Sequence, residues 1–235
     1  DALGREGGAS PSISVAVASG GILIEDIPSL AGHYTAVYIT SRGTVFRLEA
    51  VLPSTAKAHT IGYPPAGREL TNQFLDLPPV TGLDVAGFGG RLYVAEYFPD
   101  ADQTVVWFSE PLGYHLFNFN DSYFIVPGRV AIMAGGDDHL MISTGSRVFL
   151  YNQEGIAEVA EYGSIPGQHA DIGPDRKLYF WTKRGLCRVS PFENLTESDV
   201  SIPPGTKAAG GVIQRHGYAN FVVALKSGGA AFNKR

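Results

Sequence analysis

The sequence predicts an all-β protein, a β-propeller of about five blades built from four-stranded antiparallel sheets, and three observations carry that expectation. The 29 glycines and 15 prolines interrupt the chain too often for long helices. Between them lie short runs rich in Val, Ile, Phe and Tyr, many alternating in polarity as half-buried strands do. Finally, hairpins of one design recur: VYITSRGTVFRL, LYVAEYFPDADQTVVWF, LMISTGSRVFLY, LYFWTKRGLCRV and FVVALKSGGAAF.

Four of these hairpins turn at a glycine, Gly43, Gly145, Gly185 or Gly228, and the second carries an insertion around Asp100 to Gln103. Gly145 and Gly185 are 40 residues apart and Gly185 and Gly228 are 43, a period that suits a four-stranded propeller blade. LDVAGFGG, VAIMAGGDD, HADIGPD and GGVIQRHG precede the later hairpins and supply the innermost strand of each blade. Strands are expected over 13–19, 34–41, 44–51, 91–98, 104–110, 129–135, 139–145, 147–153, 177–183, 186–190, 211–216 and 220–227. A short helix over 68–74 is a weaker expectation, held in check by flanking prolines. Residues 1–11 read as an N-terminal arm and 12–235 as the propeller-like domain. The irregular, proline-rich spacing over 53–80 offers a second partition: a sandwich-like unit over 12–76, then an incomplete propeller over 77–235.

Composition narrows the function. Net charge is −5, and no dense run of Lys or Arg is present, which argues against a grip on nucleic acid phosphates. No apolar run reaches the roughly 18 residues of a spanning helix, so no membrane insertion is expected, and DALGREGGASPS does not read as a secretion signal. A lone cysteine, Cys187, excludes an internal disulfide and a zinc site of paired cysteines, and is expected to pack as a small buried residue. The chain has no phosphate-binding glycine loop, nucleophile elbow, HExxH pair or EF-hand spacing, so no cofactor is expected.

Individual residues admit sharper readings. Asp84, Glu96 and Glu110 are the carboxylates that a propeller glycoside hydrolase would need in pairs, although acids at strand ends are usually solvated. Asp137, Asp138 and His139 could offer ligands to calcium, but a solvent-facing hairpin turn explains them more simply, and no metal is expected. His33, His59, His115, His169 and His216 show no ligand spacing. The triplet beginning at Asn194 carries little meaning without a secretory signal. Of the aromatic cluster Tyr114, Phe117, Phe119, Tyr123 and Phe124, most is expected to pack between blades, with Tyr114 and Tyr123 the best candidates for a binding surface. Tyr114, His115, Tyr123, Asp100 and Asp102 are therefore the expected binding residues, on loops 97–103 and 111–123, with 191–204 completing one rim.

The run LPPVTGLDVAGFGGRLYVAEYFPDADQTVVWFSEPLGYHLFNFNDSYFIVPGRVAIMAGGDDHLMISTGSRVFLY, residues 77–151, resembles structural proteins of tailed-bacteriophage virions through its proline-rich entry, its GRLYVA and VVWFSEP strands and its LMISTGSRVFLY hairpin. YTAVYITSRGTVFRL and STAKAHTIGY resemble the β unit that precedes that pattern. The resemblance implies a propeller-like virion component of the neck or tail tip, made in the host cytoplasm. Its implied partners are other phage virion proteins, further copies of itself as a homo-oligomer in a symmetric tail or neck, and a host surface receptor. It carries over no catalytic residue. A host-receptor or glycan-binding module and a propeller glycoside hydrolase are the alternatives; the repeats do not place aromatic and Asn or Asp residues equivalently, which counts against a repeated lectin site.

Overall fold

The computed structural model describes residues 6–40, 45–61, 67–72, 75–196, 203 and 205–226. The turns expected at Gly43 and Gly228 lie outside the described residues. Those residues form nineteen strands, all paired antiparallel, and no helix; none therefore crosses a membrane as a helix. The chain divides into two compact units, Asp1–Leu77 and Pro78–Arg235.

In the first unit, β1 (Ile22–Glu25) pairs with β4 (Ala58–Ile61), and the hairpin of β2 (Tyr34–Ile39) and β3 (Arg47–Pro53) lies between them in sequence. Ile27, Leu52 and Ile61 are its buried apolar residues. The expected strand over 13–19 does not form: alternation without a partner ladder leaves Ile13 88% exposed, and pairing begins at Ile22. Nor is there a helix over the described part of 68–74, because the backbone there pairs with β3, with Leu48 N donating to Arg68 O and Leu70 N to Phe46 O, both at 2.9 Å. Residues 6–11 form no strand, yet Glu6 is held by the Tyr38 hydroxyl at 2.7 Å and the Arg68 guanidinium at 2.8 Å.

The second unit is a succession of sheets. The first contains β5 (Asp84–Phe88), β6 (Arg91–Phe98) and β7 (Gln103–Glu110); the outer edge of β7 is shared by β8 (Gly113–Phe117) at its far end and β9 (Tyr123–Pro127) along its start. The second is a meander of β10 (Val130–Gly135), β11 (Leu140–Thr144), β12 (Val148–Asn152) and β13 (Gly155–Ala160). The third repeats that order with β14 (Asp171–Ile172), β15 (Leu178–Thr182), β16 (Gly185–Val189) and β17 (Glu193–Asn194). Last comes the hairpin of β18 (Lys207–Arg215) and β19 (Tyr218–Lys226), closed at His216 and Gly217, both at positive φ.

Side-chain parity sorts the core into three layers, each between sheets adjacent in sequence. Leu140 and Ile142 of β11 join Tyr93, Ala95, Val106 and Val126 of the first sheet, whereas Met141, one residue out of step, joins Phe180, Cys187 and Val189 of the third. Every residue of β11 is consequently buried, which explains why LMIST reads as an unbroken run rather than an alternating one. On β15, Phe180 faces the second sheet while Trp181 faces the fourth, where Ala208, Phe221, Val223 and Leu225 meet it. Gln168 extends the β15 ladder with its side-chain amide, accepting from Trp181 N at 2.8 Å and donating to Trp181 O at 2.6 Å. Cys187 is fully buried, as expected of it.

Two carboxylates tie the leading strands of neighbouring sheets. Asp84 of β5 accepts from Val85 N at 2.8 Å and, with its other oxygen, from Met133 N of β10 at 2.7 Å. Asp171 of β14 repeats this, accepting from Ile172 N at 2.9 Å and from Val212 N of β18 at 2.8 Å. Glycine permits the close approach beside the first latch, since a Cβ on Gly135 would sit 1.9 Å from Gly87 O.

Candidate binding surface

The first sheet buries one face, carrying Tyr93, Ala95, Val106 and Val126, against the second sheet. Its opposite face carries Trp107, Tyr123, Phe98 and Val105, and these line a shallow recess of about 460 Å³ together with Ala101, Gln103, Phe119 and Asn120. Strand pairing sets the array: Trp107 lies across from Tyr123 in the β7–β9 ladder, and Phe98 across from Gln103 in the β6–β7 ladder.

Three aromatic rings form the centre. The Trp107 indole meets Phe119 edge-on at 4.9 Å and 78°, and Tyr123 at 5.2 Å and 54°. Trp107 Nε1 donates to Glu96 Oε2 at 2.9 Å, and the other Glu96 oxygen accepts from the Thr81 hydroxyl, so the indole is held from behind. Phe119 is brought over the sheet by a fixed loop: Asn118 Oδ1 accepts from Asn120 N at 3.1 Å, Ser122 N donates to Asn118 O at 2.8 Å, and Phe117, fully buried, stacks on Phe119 at 6.3 Å and 27°. Tyr123 and Phe98 remain 42% and 41% exposed. Around the rings, the side-chain amides of Gln103 and Asn120 and the hydroxyl of Tyr123 make no hydrogen bond to any described residue.

The expected binding residues separate. Tyr123 lines the recess; Asp100 and Asp102 neighbour the lining residue Ala101 in sequence but lie outside the lining. Asp102, at φ 45°, accepts from the Tyr97 hydroxyl at 2.8 Å; that bond holds the Tyr97 phenol above its ordinary pKa. Tyr114 and His115 lie on β8 outside the lining, Tyr114 half exposed. Phe124 turns to the other face and stacks on Tyr151 at 4.4 Å. The expected single rim is corrected by topology: loop 97–103 precedes β7 and the 111–113 turn follows it, which puts them at opposite ends of that strand. Only the Phe119–Asn120 stretch returns, by folding over the face. In loop 191–204, residues 197–202 and 204 lie outside the described residues. Sequence reasoning passed over Trp107, Phe98 and Gln103, although Trp107 and Phe98 sit in step with Val105 and Glu96 on the outward parity.

The paired-carboxylate geometry of a glycoside hydrolase is not met by the acids that suggested it. Glu96 lies across from Val105, and Glu110 is five residues farther along β7, about 17 Å at the rise of a strand; acid–base pairs stand roughly 5–9.5 Å apart. Asp84 is committed to its latch. Among the described residues no group of three or more His, Cys, Asp and Glu is placed to hold an ion, and Asp137 pairs with Arg176 at 3.0 Å. A larger depression of about 950 Å³ beside Ser146, Arg147 and Glu158 contains no aromatic ring, and its arginine is already paired with Glu158 at 2.8 Å. No family model matches the chain, no curated protein matches it, and no solved structure does.

Proposed function

We propose that this chain is a structural component of a tailed-phage virion, at the neck or tail tip, acting without catalysis by assembly and by rigid display of loops. The single observation that carries the reading is the serial stack: three interfaces in a row between sheets adjacent in sequence, two of them latched by an aspartate from one leading strand to the next. Such sheets behave as blades of a propeller-like array, whose interfaces stiffen it and whose connecting loops are free to meet partners. On this reading residues 77–235 supply the blades and 12–76 a preceding β unit, with ring closure completed by further copies of the chain. The partners are other virion proteins and like subunits around a symmetric tail, where many weak contacts sum to a firm one.

The test is mass spectrometry of purified particles joined to a density map of the neck and tail. The chain is expected in a copy number that matches the symmetry of its site, with its sheets arranged radially. Absence from particles, together with sugar hydrolysis by the purified protein, would overturn the proposal.

A further inference from the structure

We infer that the recess around Trp107 is a binding site for a neutral saccharide, with the rings of Trp107, Tyr123 and Phe119 taking the C–H face of a pyranose and the amides of Gln103 and Asn120 taking its hydroxyls. This goes beyond the virion assignment and stands whatever particle or surface carries the protein.

Four observations carry it. The volume of about 460 Å³ lies within the roughly 300–1,000 Å³ of small-molecule sites. Trp107 is fixed in advance by Glu96, itself held by Thr81, so little side-chain entropy is lost when a ligand stacks on the indole. A third feature distinguishes a hydroxyl-rich ligand from a dry protein cover. Packing another apolar sheet here would strip water from the uncommitted Gln103 and Asn120 amides and the Tyr123 hydroxyl without replacing their bonds, whereas a sugar offers donors and acceptors around an apolar ring. Charge supplies the fourth: the Glu96 carboxylate stands behind the indole, in a chain of net charge −5, which disfavours uronic and sialic acids relative to neutral sugars.

The test uses the whole chain. Neutral tetrasaccharides of glucose, galactose, mannose and N-acetylglucosamine, with an oligogalacturonate as the acidic comparison, are titrated while the Trp107 indole N–H signal is followed by NMR. At least one neutral sugar is expected to shift that signal at about 10 mM or below, a range weak single sites reach, and the oligogalacturonate is not. With the Gln103 side-chain amide signal as the reporter, since replacing Trp107 removes its indole, Trp107→Ala and Tyr123→Ala are each expected to weaken binding about tenfold or more, and Asn120→Ala a few-fold. Tyr114→Ala, on β8 outside the lining, leaves it unchanged. Trp107→Phe, which keeps a ring but loses the bond to Glu96, guards against loss of fold and should bind with intermediate strength. Three results would overturn the inference: no neutral sugar moves the signal, the alanine variants bind as well as the parent, or the same signals shift with protein concentration alone, which would assign the face to a second copy of the chain. Particle composition is untouched by any of these outcomes, so the two proposals fail separately.

Discussion

Replacing Asp84 by alanine removes two acceptors of unequal consequence. The bond to Val85 N serves a residue 55% exposed, where water substitutes for the carboxylate at little cost. The bond to Met133 N serves a residue 4% exposed, in the layer between the first and second sheets. A donor left unpaired there costs about 1–3 kcal/mol, and because Asp84 is itself half-buried the middle of that range applies, about 2 kcal/mol. By native-state hydrogen exchange, a local loss of that size accelerates the Met133 amide roughly thirtyfold. Asp84→Asn, which can keep one acceptor toward Met133 but turns a donor toward its other partner, should lose about half as much. Asp171→Ala provides the reciprocal measurement: Val212 N, only partly buried, should accelerate by a smaller factor while Met133 holds. A urea titration of Asp84→Ala within about 0.5 kcal/mol of the parent, or an exchange map in which Met133 and Val212 respond alike, would refute the claim that each aspartate ties one pair of sheets.

Two further outcomes follow from the same interfaces. Gly135→Ala places a Cβ 1.9 Å from Gly87 O and should destabilise the fold by about 1–3 kcal/mol or more in denaturant titration, whereas Gly87→Ala, with nothing within 4 Å of its added carbon, should be neutral or slightly stabilising. Tyr93, fully buried, has its phenol pushed up to about 12 by burial, so its contribution is complete below pH 10, where folded and unfolded chains are both neutral. That contribution is lost as pH rises from about 10 to about 12, because the unfolded chain ionises first; on the order of 2 kcal/mol of alkaline destabilisation should be missing from Tyr93→Phe when stability is measured across that window.

Much of the strand inventory was legible because antiparallel strands with one or two buried faces leave a pattern in the residues themselves. RLYVAEYF is β6 from end to end, and LMIST, expected as a strand within 139–145, is β11. Alternation failed as a guide at residues 13–19, where nothing pairs with the run, because a strand requires a neighbour that its own letters do not specify. The latches escaped notice for a different reason: Asp84 reads as one of a set of candidate catalytic carboxylates and Asp171 does not stand out, and only the recurrence of Asp-Val and Asp-Ile ahead of the two hairpins hints at a shared structural role. The recess was half visible. Tyr123 was singled out, but Trp107 was passed over, although its parity with Glu96 and Val105, rather than with Val106, places it outward. Phe119 required the fold-back of the loop fixed by Asn118, which no periodicity encodes.

The division of the outer edge of β7 between β8 and β9 has a consequence for engineering. The five residues that join those two strands leave from and return to the same backbone line, so a peptide spliced between Asn120 and Asp121 would part the Asn118–Ser122 bond and lift Phe119 off the indole without lengthening any strand. That position therefore suits a switch rather than a passive tag: an insertion there acts on the neighbouring indole while the stacked sheets keep their spacing.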